Sequence, residues 1–270
     1  MTDLEMLAKL VGALGPWLDQ VVIVGGWAHR LHRLTPQARP PGYEPIRTLD
    51  ADVAFAERAR LTGDIGQTLR NAGFHEEFAG EHQPPVTWYR LGKETGGFYA
   101  EFLTPLSGSG TRRDGTPDAT VKNGGVTAQK LRHLDLLLMH PWQVTLGGLS
   151  RALSHEQTVR IPNPVTFIAQ KLLIFDERPN NKRAQDVLYV HDTLELFGHD
   201  LSMLVQLWRA HVRPTLTPLQ CQRIRAVSQK QFSTVTDVHR NAARIPTDRT
   251  LRPENVQARC MYGLAEMFAE

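Results

Sequence analysis

Residues 46–55 read IRTLDADVAF, with Asp50 and Asp52 two positions apart in an otherwise largely apolar run. Such a run reads as a strand. Strand side chains alternate between faces, so both aspartates point the same way. Two carboxylates on one face repel each other, and apolar neighbours offer no compensation. One resolution is a solvated strand edge, where the pair has no role. The other is a hard divalent cation: Mg²⁺ takes carboxylate oxygens together with substrate phosphates.

Two further features bear on that choice. Upstream, Val21–Val24 is a short β-branched strand that breaks at Gly25-Gly26. The next residues form a candidate helix with Trp27, Leu31 and Leu34 on one side. Glycines at a strand–helix junction let backbone N–H groups approach a phosphate, here those near Gly25, Gly26 and Trp27. Downstream, Glu101 stands between Ala100 and Phe102 in another apolar strand, and an ionised Glu there also needs a partner. Three carboxylates on strands following a Gly-Gly turn make a candidate metal site of Asp50, Asp52 and Glu101.

The rest of the chain sets this in an α+β frame. Residues 3–18 read as an amphipathic helix rather than a signal peptide. Residues 35–45 hold four prolines and read as a loop. A helix is expected over 59–74 with a stop at Gly73, strands over 86–91 and 97–105 around a turn at 92–97, and a long polar loop over 107–125. Residues 128–140 read as a short helix, and 142–148 with 155–162 as a strand pair. From Pro164 the periodicity is helical, split near Arg178-Pro179 and again at Pro214, Pro218, Pro246 and Pro253. The expectation is a mixed β-sheet with flanking helices over 1–163, a catalytic domain, and a helical C-terminal domain over 164–270.

Composition is that of an ordinary globular chain: 270 residues, 41% apolar and 22% charged. No apolar run approaches the roughly 18 to 20 residues of a membrane span. Cys221 and Cys260 match no metal-ligand spacing, and a cytoplasmic address is expected. The net charge of +3 is uneven: residues 201–270 hold ten Lys/Arg against five acids, so that segment is +5 and the remainder −2. A basic segment suits a polyanion such as RNA; a solvated helical surface is the plainer reading.

The order Gly25-Gly26, Asp50-x-Asp52, Glu101, with Arg47-Thr48 ahead of the aspartates, resembles the nucleotidyltransferase superfamily of DNA polymerase β-like fold. The segment from Asn163 to about residue 190 is similar to the AbiEii toxin-like branch and related uncharacterised bacterial families. There a Lys on one helix precedes a Lys/Arg–Asp pattern on the next; the matching positions are Lys171, Lys182 and Asp186. The resemblance implies transfer of an NMP from an NTP to a hydroxyl, with two Mg²⁺ ions held by Asp50, Asp52 and Glu101. It implies nucleotide contacts from Gly25, Gly26, Trp27, Arg47, Lys171, Lys182 and Asp186. It also implies RNA, such as a tRNA 3′ end, as acceptor, and an antitoxin as protein partner. The first motif departs from the family's frequent Gly-Ser. Gly-Gly-Trp-Ala also resembles aminoglycoside-type adenylyltransferases, so a small-molecule acceptor is an alternative, as is a protein side chain. A non-catalytic nucleotide- or RNA-binding module is another. Without the resemblance, Lys171 reads as a lysine that snorkels to water, Lys182, Arg183 and Asp186 as helix pairs, and His29 and His32 as surface or packing residues.

Overall fold

The computed structural model describes residues 2–81, 84–92, 97–147 and 156–269. The chain forms two compact units: Met1–Leu31 with Arg47–Pro162, and His32–Ile46 with Asn163–Glu270. A mixed β-sheet flanked by helices is followed by a mainly helical region.

In the first unit, α1 (Asp3–Ala13) begins at a capping box. The Glu5 N–H donates to Thr2 Oγ1 at 3.2 Å, and the Thr2 N–H to Glu5 Oε2 at 2.8 Å. Its Leu7, Leu10 and Val11 are buried. β1 (Val21–Val24) is buried throughout and leads into α2 (Gly25–Leu31). β2 (Asp50–Phe55) runs antiparallel to β1, with Val24 opposite Asp52. After α3 (Ile65–Asn71) come β3 (Phe74–Ala79), β4 (Val86–Leu91) and β5 (Tyr99–Pro105). β5 lies parallel to β2 and antiparallel to β4, giving the strand order β1-β2-β5-β4-β3. The later part of β5 also pairs in parallel with β7 (Val126–Leu131). β6 (Thr120–Asn123) joins β7 through Gly124-Gly125, both at positive φ, a two-residue turn that suits the twist of a hairpin. β8 (Trp142–Thr145) and β9 (Thr158–Ile161) form a separate ribbon.

Alternation sets what this sheet buries. Ala51, Val53, Ala100, Phe102 and Tyr89 are buried, whereas Asp50, Asp52, Tyr99, Glu101, Trp88 and Arg90 are half-buried. Val22, Val24, Ala54 and Leu103 pack with Leu134 and Leu137. Each such valine or leucine side chain contributes about 1.5–3 kcal/mol by leaving water.

Four expectations need correction. Residues 128–140 are not a helix: 126–131 are β7 and Asp135–Leu138 is one 3₁₀ turn. The leucine spacing is helical, but pairing with β5 and β6 takes the backbone hydrogen bonds. The helix expected over 59–74 is confined to Ile65–Asn71, started by the Asp64 carboxylate accepting the Gln67 N–H. Residues 107–125 are not wholly loop, since they end in β6. Phe74, expected in the 59–74 helix, and residues 75–79, unassigned from the sequence, form β3. Parts of the expected turn at 92–97 and of the strand pair fall on residues 93–96, 148 and 155, outside the described residues.

In the second unit, α4 (Pro164–Ile174) starts at Asn163, whose side chain accepts the Val165 and Thr166 N–H groups. It is buried on nearly every side. α5 (Asn180–Phe197) follows Pro179 and packs against α8 (Asp237–Ala243) and α9 (Pro253–Met267). α6 (Leu201–Leu207) runs into a π turn, Trp208–Val212. α7 (Pro218–Phe232) opens on a second capping box, Thr217 with Gln220. Among the described residues no helix is long and apolar enough to cross a membrane.

The proline-rich stretch belongs to this second unit and is pinned to it. The Arg39 N–H donates to Leu196 O at 2.9 Å, and the Glu44 N–H to Asp248 Oδ2 at 2.9 Å. Tyr43 donates to the buried Asp192 at 3.2 Å, and Arg249 Nη2 lies 2.7 Å from both Asp192 oxygens. The Arg249 guanidinium also stacks 3.3 Å from the Tyr43 ring centroid. Breaking a buried ion pair from one side costs about 3–5 kcal/mol. Arg249→Ala should therefore lower unfolding stability in urea by about 3 kcal/mol and speed hydrogen exchange at the Arg39 and Glu44 amides. An unchanged midpoint and unchanged exchange would mean the pair does not hold this stretch.

Candidate active site

β2 and β5 bring the acids together. In their parallel register Asp52 lies opposite Glu101 and Asp50 opposite Tyr99. Asp50, Asp52 and Glu101 therefore share one face of two neighbouring strands, which run about 4.8 Å apart. All three carboxylates act on the Tyr99 phenol. Burial first, then the charges of Asp50, Glu101 and Asp52, push its pKa well above the ordinary tyrosine value, with Arg90 opposing.

Gly25 and Gly26 close the other side. Gly25 has φ +64, and a Cβ there would overlap the Asp52 carboxylate. A Cβ on Gly26 would meet Thr48 Oγ1 at 2.8 Å. Only glycine gives the strand-to-helix turn both its left-handed backbone and its contact with the acid. The Thr48 hydroxyl in turn donates to Asp50 Oδ1. On the far side of Glu101, Trp88 is its register partner on β4, and the indole N–H donates to Glu101 Oε2 at 3.0 Å.

The donor set is all carboxylate oxygen, the chemistry a hard divalent cation selects. The side chains are nevertheless spread among separate partners: Asp50 to Thr48, Asp52 against Gly25, and Glu101 to Trp88. Among the described residues no three His, Cys, Asp or Glu side chains close on a common point.

Most of the remaining candidates have partners of their own. The Trp27 ring is fully buried, edge-on to Phe98 with centroids 6.2 Å apart, so its backbone is the part left for a ligand. Arg47 is exposed and binds Asp3 through two hydrogen bonds, 3.0 and 3.1 Å, beside Arg30 at 3.3 Å. Burial raises the Asp3 pKa, but hydrogen bonds and charge from Arg47 and Arg30 outweigh it and hold the group below the usual carboxylate value. Lys171, Lys182 and Asp186 belong to the second unit. There the buried Lys171 ammonium lies 2.8 Å from Asp186, which also accepts from Arg178 at 3.0 Å. Lys182 is exposed in the first turn of α5.

Sequence reasoning missed Trp88, Tyr99 and Arg90 as neighbours of the acids. The alternation in Val86–Leu91 puts Trp88 and Arg90 on one face, but only the register with β5 puts that face beside Glu101.

A family model described as Nucleotidyltransferase matches residues 3–212. The chain belongs to this nucleotidyltransferase family, and every candidate site residue falls within the match. No curated protein and no solved structure matches the chain.

Gly25→Ala forces a left-handed alanine, costing about 1–2 kcal/mol, and displaces Asp52. Its urea midpoint should fall accordingly. Gly12→Ala in α1, where an added Cβ meets nothing within 4 Å, should instead raise stability by about 0.5–1 kcal/mol. Equal effects of the two substitutions would contradict the close approach of Gly25 to Asp52.

Proposed function

We propose that this nucleotidyltransferase family member transfers an NMP from an NTP to a hydroxyl acceptor in a Mg²⁺-dependent reaction centred on Asp50, Asp52 and Glu101. The observation that carries the reading is the register of β2 with β5, which sets Asp52, beside Gly25, opposite Glu101, with Asp50 on the same face. Asp50 and Asp52 would hold the ions, with Glu101 completing the set. Bound there, Mg²⁺ supplies charge stabilisation for the attacking and leaving oxygens.

The protein's own groups do the rest. Thr48 and Gly25 fix the Asp50 and Asp52 carboxylates. Backbone N–H groups at Gly25, Gly26 and Trp27 offer donors for phosphate oxygens. The acceptor oxygen forms a bond to the α-phosphorus, the α–β phosphoanhydride bond breaks, and pyrophosphate leaves with the electron pair. With Oε2 held by Trp88, Oε1 of Glu101 takes the hydroxyl proton. Arg47 serves as a nucleotide contact in this reading.

The acceptor class is read by the same assay. Each of four α-labelled NTPs is offered with total RNA, with a protein extract and with an aminoglycoside panel, the basic segment favouring RNA. Asp50→Asn and Asp52→Asn should each lower transfer by about a hundredfold or more, and Glu101→Gln should slow it as well. Equal labelling by wild type and by the aspartate variants would show that these residues are not the site. NTP binding indifferent to Mg²⁺, with no pyrophosphate released, would identify a binding module instead.

A further inference from the structure

Trp88 and Tyr99 stand out on the carboxylate face. An aromatic residue on a strand ordinarily points into the core, as Tyr89 and Phe102 do, with ring centroids 5.8 Å apart. Trp88 and Tyr99 instead lie half-buried on the opposite face. Their rings are 5.2 Å apart at 35°, and the Arg90 guanidinium stands 5.6 Å from the Tyr99 centroid. The polar edge of Trp88 is turned toward the acids, its N–H on Glu101 at 3.0 Å. Two strand spacings, roughly 10 Å, separate Trp88 from Asp52 along this face, comparable to the reach of a nucleotide from phosphate to base. A ledge of two aromatic rings backed by a guanidinium is the chemistry that recognises a planar base, whatever its identity.

We infer that Trp88 and Tyr99 form the stacking wall for a nucleobase bound across β5 and β4, with its phosphate end at the Asp50–Asp52 pair. The inference rests on the nucleotidyl-transfer reading of that face. The base comes either from the NTP or from the end of a nucleic-acid acceptor. The competing explanation is purely structural: diagonal aromatic pairs stabilise sheets by themselves.

Calorimetric binding in Mg²⁺ separates these. The full chain is titrated with each NTP, with inorganic tripolyphosphate, and with a short oligoribonucleotide. Trp88→Ala should weaken NTP binding, or oligoribonucleotide binding if the base is the acceptor's, by about tenfold. Tripolyphosphate affinity should fall by clearly less than this in the same variant, because it has no base. Trp88→Phe, which keeps a ring but loses the N–H, should bind the base within about threefold of wild type. Tyr99→Leu, which keeps apolar bulk in the sheet, gives the same test if Trp88→Ala does not fold. Unchanged NTP and oligoribonucleotide affinities in folded Trp88→Ala and Tyr99→Leu would overturn the stacking wall and leave the carboxylate reading standing. A wild-type chain that binds neither NTP nor tripolyphosphate would overturn both.

Discussion

The parallel pairing of β2 with β5 is the constraint on which the first unit's chemistry depends. It sets Asp52 directly across from Glu101 and leaves Asp50 and Tyr99 as the next pair along. A slip of one residue would turn each acid toward Ala51, Val53 and Phe102 in the core. Burial of those apolar neighbours therefore fixes the acids' orientation, although the acids repel one another. Gly25 and Thr48 add local restraint, one by backbone contact and the other by a hydroxyl donor. The stability of the sheet thus sustains an arrangement of like charges that the carboxylates alone would not adopt.

The second unit handles charge differently. Asp186 and Asp192 are almost fully buried, and each is met by cations: Lys171 and Arg178 on the first, Arg249 on the second. Removing two charges from water is expensive, and such pairs add less to stability than apolar packing of the same volume. What they do supply is geometry. Asp192 ties the proline-rich stretch to α5 through Tyr43, and that stretch connects Leu31 of α2 to Arg47 just ahead of β2. Lys171 carries a charge already balanced by Asp186, so any negative ligand it meets must compete with that carboxylate.

Much of this was legible in residue order. The period-two spacing of Asp50 and Asp52 and the Gly-Gly break after a β-branched run are local signals, and local backbone rules interpret them. Helix starts were also readable, because Pro164, Pro218 and Pro253 each stand at a first helical position. Long-range pairing was not readable. The stretch 128–140 carries leucines at helical spacing, yet hydrogen bonds to β5 and β6 hold it as strand up to Leu131, and only Asp135–Leu138 makes a turn of 3₁₀ helix. Trp88 was indistinguishable from a core aromatic until its register with Glu101 was known. The pairing of Arg47 with Asp3, 44 residues earlier in the chain, was likewise not readable.

The central claim is that Asp50, Asp52 and Glu101 act as one cation site despite their separate hydrogen-bond partners. Mn²⁺ binding followed by electron paramagnetic resonance, in the presence of a non-hydrolysable nucleotide, tests it without relying on turnover. The account predicts that Asp50→Asn, Asp52→Asn and Glu101→Gln each weaken Mn²⁺ binding by about tenfold or more, with the double variants losing it. Wild-type Mn²⁺ affinity in all three single variants would contradict it.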